Sequence, residues 1–195
     1  VRTLVALVFN YSLNGLLADE GTDFYRFCFE LLDRHGGPDH DDASLDFLRT
    51  ADAHLMGRSA YEGMAANLPQ ATDHPWSAIM NAAPKIVFST TLDRADWENT
   101  MIVSGGTSEE VERIRDGGDG HVVVWGGVRL WRSLMRLDLI DEFAIGLHPY
   151  VTNEGTVLFD DVPDDYRLLR VSSDATGPGV LELRYRRDRG PSATR

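Results

Sequence analysis

Apolar residues along the chain recur with two different periods, and the switches between them mark out the elements. Thr3–Tyr11 is a near-continuous run of β-formers and reads as a buried strand. "SLNG" at Ser12–Gly15 ends it in a turn, because Asn and Gly both tolerate a positive φ. In "DFYRFCFELLDRHGG" the apolar residues fall at Phe24, Phe27, Cys28, Leu31 and Leu32, a helical spacing that Gly36-Gly37-Pro38 stops. A short helix follows at about Ser44–Ala51 with Ser44 as its expected N-cap, then the strand "AHLM", which closes on Gly57. "RSAYEGMAANL" and Pro75–Ala83 read as helices, "KIVFS" and "MIVS" as strands. "TSEEVERIRD" reads as a helix opened by a capping box of Thr107 and Glu110. "HVVVW" is a strand, and "VRLWRSLMRL" a helix with Leu130, Leu134 and Leu137 on one side.

Beyond Leu137 the character changes. "DEFAIGLHPYV", "YRLLRVSSDA" and "VLELRYRR" are all strand-like, the last two joined by a Gly-Pro-Gly turn. Alternating strands and helices argue for a largely parallel sheet covered on both faces, and the final strands for an antiparallel addition at one edge. The expected fold is a three-layer α-β-α sandwich in a single domain over 1–187, with 188–195 a flexible solvated tail.

The net charge of −12 argues against nucleic acid or an anionic membrane as partner, but allows a local basic pocket for a phosphorylated small molecule. Cys28 is the single cysteine, so no intrachain disulfide forms, which suits a reducing compartment. The apolar run Leu4–Phe9 is too short to span a bilayer and lacks the flanks of a signal peptide. A cytoplasmic protein with no membrane partner is expected. Asp39, His40, Asp41 and Asp42 match neither an EF-hand nor a zincin spacing, so they read as a solvated loop and no metal is expected.

Three stretches carry candidate chemistry. In "HVVVWGGVRL" a strand ends on Gly126-Gly127 and a helix starts at once. A helix N-terminus offers unpaired N–H groups and about half a positive charge, and glycines let a phosphate approach it. The same residues also suit a plain tight turn. The motif is not G-x-G-x-x-G, which argues against a Rossmann domain. In "LMGRSAYE" Gly57 precedes Arg58 at a helix start, where a cation opposes the dipole unless an anion is bound. "VFSTTL" runs a strand into Ser89, Thr90 and Thr91, which serve either as phosphate donors or as turn residues.

Taken in order, "SLNG", "LMGRSAYE", "PKIVFSTTL", "VVVWGG" and "LDLIDEFAIGLHPYVTNEGTVLF" resemble the dihydrofolate reductase-like superfamily. The resemblance is greatest to the reductase domain of riboflavin biosynthesis, the RibD C-terminal type, and its stand-alone relatives. It implies a mixed sheet of about eight strands with NADPH across its carboxyl edge. It places the pyrophosphate on Gly126, Gly127, Val128, Arg129 and Leu130, with Gly57, Arg58 and Ser59 at the cofactor phosphates. Ser89, Thr90 and Thr91 then lie near the ribose and its 2′-phosphate, and Gly126-Gly127 are joined by a cis peptide. The nicotinamide and the substrate fall near Phe9, Asn10, Asn14 and Gly15. Trp125 is either a wall of the substrate pocket or a core aromatic.

The implied activity is hydride transfer from NADPH to a small heterocyclic, pterin- or pyrimidine-like, or carbonyl substrate, by a homodimer paired through its C-terminal strands. The chain also departs from the family pattern. Asn14 stands where relatives carry Asp, Ala60 replaces a hydroxyl residue, and Gly21–Asp42 matches poorly. The catalytic residue is open, with Asn14 and Asp46 as the two candidates, although Asn14 cannot serve as an ionised carboxylate. A nucleotide-binding protein of the same fold without turnover is the alternative reading.

Overall fold

Both faces of the central strands are apolar because both are covered. The computed structural model describes residues 1–34, 42–71, 75–163, 165–176 and 179–190. In chain order the elements are β1 (Thr3–Ser12), β2 (Leu16–Leu17), α1 (Asp23–Arg34), α2 (Asp42–Arg49), β3 (Ala53–Gly57), α3 (Arg58–Ala65), α4 (Pro75–Ala82), β4 (Lys85–Phe88) and β5 (Thr100–Val103). They continue with α5 (Thr107–Asp116), β6 (His121–Val124), α6 (Val128–Arg136), β7 (Glu142–His148), β8 (Thr156–Val157), β9 (Leu168–Thr176) and β10 (Val180–Arg187). The sheet has ten strands in the order β5-β4-β3-β6-β1-β7-β10-β9, with the small pair β2 and β8 beside β1. From β5 to β7 neighbours run parallel, and β10 and β9 add antiparallel as expected. The two strands beyond the expected eight are β2 and β8, each too short to leave a period in the sequence.

Period-two alternation sorts side chains between two cores. Leu4, Ala6 and Val8 of β1 join Val122 and Val124 of β6 under α5 and α6. Leu7 and Phe9, with Val123 and Trp125, face α2, α3 and α4 on the other side. A smaller third cluster, Ala18, Phe24 and Cys28, seats α1. In α6 the buried residues are Leu130, Trp131, Leu134 and Met135, while Leu137 lies beyond the last turn and is 40% exposed.

Local expectations change at the starts of α5 and α2. The capping box of α5 does not form. Gly106 takes the cap position with φ 59°, Thr107 is already helical, and no side chain caps the helix. Glu110 instead ion-pairs with Arg113. Ser44 lies inside α2, which starts at Asp42. Within the stretch expected as tail, Arg189 pairs with Asp138 and Asp141 at 2.9 and 3.0 Å and the Gly190 N–H donates to Asp188. The Asp39–Asp41 portion of the acidic run lies outside the described residues. Among the described residues no helix is long and apolar enough to cross a membrane, and no group of three or more metal-ligating side chains occurs.

Candidate functional site

Because β4, β3 and β6 are adjacent and parallel, the loops after them open on one edge of the sheet. There Gly57 and the glycine pair pack backbone on backbone. The Gly57 N–H donates to the Gly126 carbonyl at 2.5 Å, and the Gly126–Gly127 peptide is cis. A Cβ on Gly57 would stand 3.2 Å from the Gly127 nitrogen, and one on Gly127 would stand 2.9 Å from Ser59 Oγ. On Gly126, which has φ +95°, it would meet the Trp131 ring at 2.8 Å. A side chain at Gly57 or Gly126 would push the seam apart, whereas one at Gly127 would meet only the Ser59 hydroxyl.

Two helices start from the seam. The caps of α3 and α6 are Gly57 and Gly127, neither with a side-chain capping bond, and neither first turn holds an acid. By contrast the first turn of α5 carries Glu109 and Glu110. The first-turn N–H groups of α3 and α6 thus face outward with their partial positive charge unneutralised. Two exposed cations add to it. Arg58 donates to Thr91 Oγ1 at 3.0 Å, to the Thr91 carbonyl at 3.2 Å and to Glu62 at 2.8 Å. Arg129 has no ion pair or side-chain hydrogen bond among the described residues. The Ser89 hydroxyl accepts from the Thr91 and Leu92 N–H groups at 3.2 and 3.0 Å, which shapes the turn that presents Thr90 and Thr91.

The expected cofactor residues Gly57, Arg58, Ser59, Ser89, Thr90, Thr91, Gly126, Gly127, Val128 and Arg129 therefore share one cleft. Leu130 does not belong with them. Its side chain is in the core, and its N–H is spent on the Gly127 carbonyl at 2.9 Å. Gly15 sits apart in the β1–β2 turn with φ +86°, against the Tyr11 hydroxyl.

The end of β1 forms the neighbouring wall. Asn10 is tied to Ala18 through both its carbonyl and its side-chain amide, each at 3.1 Å. Phe9 meets Trp76 edge-on at 6.3 Å, and Trp76 lies 5.5 Å from Trp125. Trp125 is the core aromatic of the two readings left open. It is 3% exposed, and its Nε1–H donates to His54 Nδ1 at 2.8 Å, so it backs the wall from behind. His54 is fully buried, and its Nε2 has no hydrogen-bond partner among the described residues. Burial first, then the nearby Lys85 charge, pushes its pKa down to about 4.

Both catalytic candidates are bonded to residues outside the glycine seam. The Asn14 amide donates to the Thr152 carbonyl at 2.8 Å and accepts the Thr152 N–H at 3.2 Å, a two-way bond that an aspartate cannot make. Asp46 is exposed on α2 and paired with Arg49 one turn on. Trp76 was not singled out by sequence reasoning, because a lone aromatic leaves no periodic signal.

Comparison with known proteins agrees with this architecture. The family model described as RibD C-terminal domain matches residues 4–181. The uncharacterized protein YyaP of Bacillus subtilis (strain 168) is 28% identical over 152 residues, 75% of this chain and 80% of that protein. Among solved structures, a putative riboflavin biosynthesis protein from Shewanella sp. PV-4 superposes with TM-score 0.74 at 19% identity, covering 96% of this chain and all of the other. A dihydrofolate reductase from Enterococcus faecalis, complexed with NADP(H) and RAB-propyl, superposes with TM-score 0.58 at 20% identity over 95% and 96% of the two chains. Both structural likenesses are likenesses of fold.

Proposed function

The chain belongs to the RibD C-terminal domain family, and on that premise we propose that it is an NADPH-dependent reductase of a small heterocyclic, pterin- or pyrimidine-like, or carbonyl substrate. The observation that carries this reading is the pair of uncapped, acid-free helix N-termini at one glycine seam, flanked by Arg58 and Arg129. The bare Gly57 backbone lets the two sides of the seam close together, which brings both helix N-termini to one place. The N–H groups of Val128 and Arg129 would hold the pyrophosphate. Arg58, steadied by Thr91, would hold the 2′-phosphate that separates NADPH from NADH, with Ser89 and Thr90 alongside. Bound there, NADPH supplies a hydride. The chain's part is to orient the ring near Phe9 and Asn10 and to keep water from it.

A second reading, nucleotide binding without turnover, is favoured by Asn14 and Asp46 being committed elsewhere. One experiment separates them. NADPH and NADH are titrated by quenching of tryptophan fluorescence, and loss of NADPH absorbance is followed with dihydrofolate, the riboflavin pyrimidine intermediate and quinones. Micromolar NADPH binding with turnover on any of them supports the reductase, binding without turnover supports the second reading, and no binding removes both. The exposed Leu169, Val171 and Leu181 on the C-terminal hairpin support a homodimer through these strands, which sedimentation velocity checks.

A further inference from the structure

The β1 wall of the cleft is irregular, and two residues of β7 account for its shape. In the β1–β7 ladder Val8 faces Ile145 and Tyr11 faces Leu147, so β1 advances three residues where β7 advances two. Phe9 and Asn10 form the resulting bulge, and bulges re-aim side chains beside functional sites. Opposite it stands Gly146, where a Cβ would lie 2.6 Å from the Phe9 carbonyl oxygen and 3.3 Å from Phe9 Cα. The bulge therefore leans into space that any larger residue would fill. Two residues on, His148 is 6% exposed with its Nε2 2.8 Å from that same carbonyl. A carbonyl only accepts, so Nε2 carries the proton and Nδ1 is the bare nitrogen, with no partner among the described residues. Phe24 packs edge-on against the ring at 5.9 Å.

We propose that His148 is a positioning residue, which with Gly146 holds the β1 bulge and so aims Phe9 and Asn10 at the nicotinamide end of the cleft. The inference rests on the cofactor reading above. His148 supplies from its side chain the hydrogen bond to the Phe9 carbonyl that regular β7 backbone would have given. The phosphate end, built from β3, β4 and β6, does not depend on it.

Two ligands divide the cleft for a test, NADPH and 2′-phospho-ADP-ribose, which lacks the nicotinamide. His148→Leu is expected to weaken NADPH about tenfold, ~1.4 kcal/mol, and the truncated nucleotide less than about twofold. His148→Gln, whose side-chain amide reaches the same carbonyl, is expected to bind NADPH within about threefold of the parent. Gly146→Ala, which pushes the bulge without touching the ring, is expected to repeat the Leu pattern. Equal losses for both ligands, no loss for either, or a Gln variant no better than Leu would overturn the proposal. Amide hydrogen exchange at Asn10 and Tyr11 tests the clamp with no ligand present. About tenfold faster exchange in His148→Leu is expected, and unchanged exchange would overturn it. A parent chain that binds neither nucleotide defeats the cofactor reading, and the exchange result then decides the clamp by itself.

Discussion

Arginines gather at both edges of the sheet, and they are used in opposite ways. At the edge where β1 and β7 begin, Arg2 pairs with Asp52 at 2.6 Å, Arg115 with Asp141 at 3.1 Å, and Arg187 and Arg189 with Asp138 at 2.8 and 2.9 Å. These side chains are partly buried beside a pocket of about 320 Å³, and the four cations share the three acids Asp52, Asp138 and Asp141. At the far edge Arg58 shares itself among Glu62 and Thr91 on the surface, and Arg129 pairs with no acid among the described residues. A guanidinium already neutralised and buried is structural. One left exposed beside bare helix N-termini is available to a ligand. Position in the sequence does not separate the two kinds, but the company each arginine keeps does.

The contrast breaks most visibly at Asp141. Its carboxylate receives Arg115, Arg189 and the Leu4 N–H. Asp141→Ala leaves the partly buried Arg115 without an acid and Arg189 with Asp138 alone, and should cost roughly 3 kcal/mol in urea unfolding while leaving NADPH affinity of the folded fraction unchanged. The next effect comes from His54. Its folded pKa of about 4 lies below the unfolded 6.5, so between these values the unfolded chain binds the extra proton. Stability from its neutral form is complete above pH 6.5 and is lost as pH falls toward 4, by about 3 kcal/mol. Urea titrations from pH 7 to 4 should show that slope, and His54→Gln should flatten it.

Smaller effects sharpen the other side. Gly57→Ala sets a methyl against the Gly127 backbone and should weaken NADPH about tenfold. Arg58→Ala should weaken NADPH several-fold, on the order of 1 kcal/mol, and NADH less than about twofold, with an unchanged urea midpoint. Equal weakening of the two nucleotides would contradict its assignment to the 2′-phosphate. The least effect is expected for Arg129→Ala, about threefold on both nucleotides and vanishing at high salt.

What the sequence revealed follows the range over which each feature is encoded. The helical spacing of Phe24, Phe27 and Cys28, the run of β1 and the glycines after β6 are local, and each was legible. Where a neighbour one residue away decides, local reading already failed, as when Gly106 displaced Thr107 from the cap of α5. The rest of the site is long-range. Asn14 meets Thr152 138 residues on, His148 meets Phe9 across 139, and Trp125 meets His54 across 71. Such pairs depend on strand order and on one bulge, and neither has a period. Asn14 illustrates the point, since what looked like a lost carboxylate is an amide chosen for a partner in a distant loop.

The late strand β6 lies between β3 and β1, both made much earlier in the chain. On the proposed cofactor reading, a nascent chain made only as far as residue 120 holds Gly57 and Arg58 without the glycine pair that packs against them, and so has half of the seat a dinucleotide would take. Nucleotide retention should switch on only as β6 and the start of α6 emerge, which makes cofactor capture a report that the middle of the sheet has closed.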